Sequence, residues 1–144
     1  MKIYGNTPAR IIRERFRCRI VPAIPETSPP RPQLEAVPTY KTETGMVEVE
    51  GETVYGPGYI YGISTALESG PLTAKKFVEL EDGKSLLCAY GCVEYKDAFG
   101  RNGRTQFCLI YKFTFGGVLR SPDGTVLNPP GFRQGGPRGY NEVT

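Results

Sequence analysis

Histidine occurs nowhere in the 144 residues. That removes the side chain that most often acts as a general base near neutral pH, so Ser-His and Cys-His catalytic arrangements are excluded. Long apolar runs are missing too. No stretch approaches the roughly 20 apolar residues that a membrane-spanning helix needs, and Met1 to Arg10 has no signal-peptide core. The glycines never take a phosphate-loop or dinucleotide spacing between a strand and a helix, which leaves nucleotide chemistry without a motif. An excess of one charge is also lacking. The formal net charge of +3 is milder than a dedicated nucleic-acid binder of this size carries. Only four cysteines are present, Cys18, Cys88, Cys92 and Cys108, and without a secretion signal the expected state is the free thiol.

What is present points to one small β domain. Hydrophobic residues make up 39 % and charged residues 23 %, the balance of a folding chain rather than a membrane span or a disordered one. The 18 Gly and 13 Pro fall mostly between short apolar runs, which favours strands and turns over helices. Lys2 to Pro8 reads as the tail of a strand entering a turn. From Ala9 to Val21 the pattern alternates, with Ile12, Phe16, Cys18 and Ile20 on one parity and Arg13, Arg15, Arg17 and Arg19 on the other. Glu14 breaks the apolar parity, which predicts a place near a strand end or beside an arginine. Pro22 to Pro38 carries six prolines and is read as an extended connection.

Met46 to Tyr55 alternates again, and a Gly56-Pro57-Gly58 turn leads toward a strand from Tyr59 to Leu67. A short helix is predicted between Gly70 and Gly83, with Thr73 as N-cap, Leu72, Phe77 and Leu80 at near-helical spacing and Gly83 as the stop. Ser85 to Phe115 reads as a hairpin with two competing turns. Asp97 to Gly100 suits a type I turn with a glycine bulge and is preferred to a two-residue turn at Asn102-Gly103. The predicted core positions are Ile12, Phe16, Ile20, Val93, Tyr95, Phe107 and Leu109. The segment after Gly116 is poor in aliphatics, so its packing is expected to be local or supplied by a partner.

Several residues form sets that could carry function. The four alternating arginines would make a row with a spacing of roughly 6.6 Å, comparable to successive phosphates. Such a row could hold nucleic acid or anionic headgroups, with Tyr4 and Tyr111 for stacking. The competing reading, which is favoured, is a solvated face whose arginines pair with Glu48, Glu50 and Glu52 on a neighbouring strand. Cys92 and Cys108 could meet across the hairpin as a disulfide if the register places them on one face. Cys88 and Cys92, if on one strand, stand about 13 Å apart, too far to share one zinc ion, so no metal is expected. Pro29 to Pro32 offers a PxxP pattern, read as a rigid loop. Arg133 and Arg138 in the Gly-rich tail could touch nucleic acid, but a solvated terminus is the simpler account. The carboxylate clusters Glu79, Glu81, Asp82 and Glu48, Glu50, Glu52 lack a glycosidase-like setting and read as solvated faces.

Lys2 to Ala9 (KIYGNTPA), Gly56-Pro57-Gly58, Gly91 to Gly100 (GCVEYKDAFG), Thr105 to Cys108 (TQFC) and Gly139 to Glu142 (GYNE) occur in an order that resembles the C-terminal domain of a broad set of uncharacterised bacterial proteins. Those proteins carry N-terminal transmembrane helices, a linker and then an immunoglobulin-like sandwich. The arginine stripe and the proline-rich insert are departures from the group. The resemblance implies an all-β, immunoglobulin-like β-sandwich with one short helix, spanning residues 1–115 with a Pro-rich loop at 22–38, and a Gly/Pro-rich tail at 116–144 packed on it. The expected function is a non-catalytic binding or interaction module without cofactor, the soluble part of a membrane-anchored protein or derived from one. Its partner would be another protein, with homodimerisation through a sheet edge as one route. Nucleic acid is a less favoured partner, and membrane contact would come only through a missing N-terminal anchor. The chain would be cytoplasmic if complete and membrane-associated if truncated. The alternative is a polyanion binder using Arg13, Arg15, Arg17 and Arg19.

Overall fold

The computed structural model describes residues 8–27, 30–40, 47–55, 67–112, 120–126 and 131–144. Within them lie strands β1 (Ala9–Pro22), β2 (Val47–Tyr55), β3 (Ser85–Lys96), β4 (Asn102–Lys112) and β5 (Gly131–Gln134), one helix α1 (Ala74–Glu81) and a 3-10 turn at Arg138–Tyr140. The strands form one sheet in the order β2-β1-β3-β4-β5, every neighbouring pair antiparallel. The chain is therefore mostly sheet with one helix. The readings of Lys2 to Thr7, of Tyr4, of the Gly56–Gly58 turn, of Tyr59 to Ala66 and of Pro29 lie outside the described residues.

β1 is long because its β-branched and aromatic residues alternate with arginines, a pattern that suits a strand and gives each face its own chemistry. A bulge interrupts it. Ile11 pairs with Tyr95 and Arg13 with Glu94, so Ile12 is one residue extra against β3 and the parity of the strand shifts there. Ile11 accordingly joins Phe16 and Val93 in a buried cluster, while Ile12 is only half-buried. Of the seven expected core positions, Phe16 and Val93 are buried; Ile20, Tyr95, Phe107 and Leu109 are half-buried, as Ile12 is. Glu14 lies mid-strand, buried, opposite Val93, and not near a strand end. Gly91 faces Phe16 across the β1–β3 ladder because any Cβ there would overlap the Phe16 ring.

The helix forms where the caps place it. The Thr73 hydroxyl accepts from Lys76 N at 3.3 Å, and Gly83 ends the segment with φ +70°. Leu80 alone among the helix residues is buried, and it is the link to the rest of the fold. The β3–β4 connection takes the first of the two competing turns: Gly100 N donates to Asp97 O at 3.0 Å, Gly100 has φ +79°, and Asn102 already pairs with Lys96.

The proline-rich segment does not simply run out and back. Ala23 bridges Pro32, with Ile24 N donating to Arg31 O and Gln33 N to Pro22 O, both at 2.8 Å. From there residues 33–40 cross one face of the sheet. The C-terminal segment does the same. After β5, the 3-10 turn drops Tyr140 onto that face, and residues 142–144 pair with Arg104 to Gln106 along the part of β4 that β5 does not cover. The segment poor in aliphatics thus contributes one fully buried aromatic and an edge cover.

Candidate functional site

The arginine row exists as the alternation predicts, but it lies under the crossing segments. Side-chain exposure along it is 41 % at Arg13, 20 % at Arg15, 8 % at Arg17 and 27 % at Arg19. Arg17 is the most enclosed and the most heavily bonded. Its Nε and Nη2 donate to the two carboxylate oxygens of Glu68 at 2.5 and 2.8 Å, and Nη1 donates to Thr39 O at 2.8 Å. One side chain therefore ties β1 to two distant segments. This bidentate pairing, outweighing burial, raises the Arg17 pKa further and keeps the guanidinium charged.

Arg15 Nη2 donates to Glu94 Oε1 at 2.6 Å, and Arg13 reaches the other oxygen at 3.9 Å. Arg15 Nε is buried without a hydrogen-bond partner among the described residues. Arg19 donates to the Tyr90 hydroxyl at 3.2 Å and to Glu35 at 3.3 Å. The register does bring Glu48 opposite Arg15 and Glu50 opposite Arg13 on β2. The pairing expected with Glu48, Glu50 and Glu52 falls on side chains outside the described ones. Among the described side chains the row pairs with Glu35, Glu68 and Glu94.

Aromatic rings fill the space between these charges. Tyr90, at the centre of β3, stands 5.0 Å from Tyr140 edge-on and 6.2 Å from Tyr40. The Arg15 guanidinium lies 5.3 Å from the Tyr40 ring centre and that of Arg17 5.7 Å from Tyr90, cation–π distances. The Tyr40 hydroxyl donates to Gly91 O at 3.3 Å and accepts from Gln106 at 3.1 Å, and that of Tyr140 donates to Glu35 at 3.2 Å. Burial pushes all three phenols up from their ordinary range, so they are protonated at neutral pH.

Cys88, Cys92 and Cys108 complete this face as apolar filler, whereas Cys18 takes the parity of Phe16 on β1. All four are free thiols, and the proposed Cys92–Cys108 bridge is absent. The register explains why. Cys92 pairs with Gln106 and Cys108 with Tyr90, so the two lie diagonally on one face rather than opposite each other. Cys88 shares its hydrogen with Cys108 instead; that contact and burial hold the Cys88 thiol well above the ordinary range, while the same contact lowers Cys108. Cys92 Sγ accepts from Arg104 Nε at 3.0 Å. Among the described residues no cluster of His, Cys, Asp or Glu could hold a metal ion.

At the hairpin end of the sheet the chemistry changes. A cleft of about 460 Å³ is lined by Ile12, Glu94, Tyr95, Asn102, Gly103, Arg104 and Thr144. Beyond it the β3–β4 turn projects Phe99, 75 % exposed. Of the remaining candidates, Arg133 donates to Pro30 O at 2.9 Å, and Arg138 begins the 3-10 turn. Glu79 is half-buried and Glu81 exposed on α1, with Asp82 as its C-cap.

Comparison with protein-family models, with curated proteins and with solved structures finds no match. The site must be read from its own geometry. Glu35, Glu68 and the three tyrosines were missed in the sequence because their meeting depends on loops that pair over long separations. Glu94 was within reach, since it sits nine residues before Gly103 on the other arm of a legible hairpin. Phe99 was visible only as a turn residue.

Proposed function

We propose that the chain is a non-catalytic interaction module, and that the five-stranded sheet is one layer of an immunoglobulin-like sandwich. The fold reading is supported by the antiparallel topology and by the burial of Ile11, Phe16 and Val93 on the face away from the crossing segments. The proposed kinship with the soluble domains of membrane-anchored bacterial proteins rests on the sequence resemblance. One contrast carries the functional reading. The enclosed arginines and tyrosines spend most of their bonding capacity on carboxylates and backbone oxygens of the segments that cover them, whereas a large apolar ring, Phe99, is held out on a rigid turn. Groups so engaged hold segments together rather than turn over substrate, and an exposed aromatic beside cations is what binding surfaces use.

The test is a photo-crosslinking residue introduced at position 99 and, separately, at Glu79, in the native host. A distinct adduct from position 99 alone supports a binding surface at the hairpin end. Identical adducts from both positions, or neither a protein nor a lipid adduct from position 99, sink it. A second reading, polyanion binding through Arg13, Arg15, Arg17 and Arg19, has the exposure of Arg13 in its favour and the enclosure of Arg17 against it. Binding of a single-stranded oligonucleotide that weakens steeply with salt, and weakens further in Arg13→Gln, would establish it; salt-independent or absent binding would remove it.

A further inference from the structure

The hairpin end is built with more care than a passive turn requires. One carboxylate organises it: Asp97 Oδ1 accepts from the backbone N–H of both Phe99 and Arg101 at 2.9 Å, and Oδ2 accepts from Arg101 Nε at 2.7 Å. These donors, the Arg101 N–H first among them, hold the Asp97 carboxyl below its ordinary range. The turn is closed again by Asp97 N donating to Arg101 O at 3.0 Å. The consequence is a fixed apex. Phe99 has the largest fractional exposure of the large apolar side chains described, and the Arg101 guanidinium sits 5.4 Å from its ring centre.

Among the described residues, cations flank the apex: Lys96 and Arg101 stand on either side of the turn and are exposed. The only carboxylate within the turn, Asp97, is already engaged by Arg101 and the backbone. An aromatic ring at the tip of a convex, rigid loop, with cations set back from it, matches the layering of a bilayer surface. The ring reaches the headgroup–acyl boundary, and the cations lie at the level of the phosphates. A protein pocket would instead need a complementary concavity, whereas this projection suits a fluid surface that yields to it.

We infer that the β3–β4 turn docks the domain on an anionic membrane surface, with Phe99 inserting and Lys96 and Arg101 engaging the headgroups. This rests on the binding-module reading and assigns its hairpin end an occupant. The attachment is weak and reversible, since a single aromatic and a few cations do not anchor a protein permanently.

The chain has no tryptophan, so Phe99→Trp installs a single indole at the apex that can be excited apart from the nine tyrosines. Vesicles of phosphatidylcholine mixed with an equal part of phosphatidylserine are expected to shift its emission to the blue at low ionic strength. Pure phosphatidylcholine vesicles should leave it unchanged, and high salt should reverse the shift. In co-sedimentation with the mixed vesicles, Phe99→Ser should lower the affinity of the otherwise native chain by about tenfold, and Lys96→Gln should lower it further at low salt than at high salt. No shift with the mixed vesicles, an equal shift with both kinds, or wild-type sedimentation by Phe99→Ser would overturn the assignment. A protein adduct from position 99 together with an absent vesicle response would end the membrane assignment while leaving the interaction module standing.

Discussion

The two faces of one sheet bury different chemistry, and two adjacent residues show it. Phe16 and Arg17 follow each other on β1, both nearly inaccessible. Phe16 packs on Phe107, with ring centres 5.8 Å apart, and on Val93; Arg17 packs on Tyr90 and closes a bidentate pair with Glu68. The first face is held by area removed from water, which any apolar side chain of the right volume supplies. The second is held by directional bonds, which only these partners supply. What such bonds add is placement: Arg17 fixes Glu68 and Thr39 relative to β1, and Arg19 fixes Glu35. A buried ion pair is weak evidence of net stability, because desolvation offsets much of the attraction.

That comparison can be broken from either side. Phe16→Ala should have the largest effect, about 4 kcal/mol lost in urea unfolding, since it leaves a cavity beside Val93. Arg17→Ala should follow closely, at about 3 kcal/mol, by leaving the Glu68 carboxylate in a mostly enclosed site with only Arg19, 3.7 Å away, to neutralise it. The double variant Arg17→Met with Glu68→Leu separates pairing from packing: it should return to within about 1 kcal/mol of the parent. If it stays as unstable as the single change, the arginine face depends on its charges beyond their mutual neutralisation.

Alkali should attack the polar face selectively. Tyr40, Tyr90 and Tyr140 are held protonated by burial, so their folded pKa values lie above those of the unfolded chain. Their contribution is fully present below the unfolded value of about 10 and is lost as pH rises through the folded values, at up to about 1.4 kcal/mol per group per pH unit. Tyrosinate absorbance followed through a pH jump should show these three ionising only with unfolding; rapid ionisation of all nine tyrosines in the folded state would refute their enclosure. The smallest effect is expected at the hairpin apex, where Phe99→Ser should change unfolding stability by less than about 0.5 kcal/mol.

Much of the local structure was legible from residue order. The course of β1 to within one residue, the Thr73 cap, the Gly83 stop and the Asp97–Gly100 turn all follow from rules that act over a few neighbouring positions. The bulge at Ile12 was not, because it depends on how β3 registers against β1, and it moved one core position by a residue. The arginine row was foreseen as a row and misjudged as an exterior. Its covering comes from segments 33–40 and 135–144, whose proline and glycine content conceals that they carry Tyr40 and Tyr140 into the core.

Residue order alone thus determined where β1 to β4, the helix and the hairpin turn lie, though not β5 or the 3-10 turn, and that the arginines face away from Phe16 on β1, because backbone sterics, capping and period-2 alternation are local. Only the tertiary structure decided which face is covered and which acids meet the arginines. Those outcomes depend on loops closing over dozens of residues, and the free energy that selects among closures comes from contacts that do not exist until the sheet has formed.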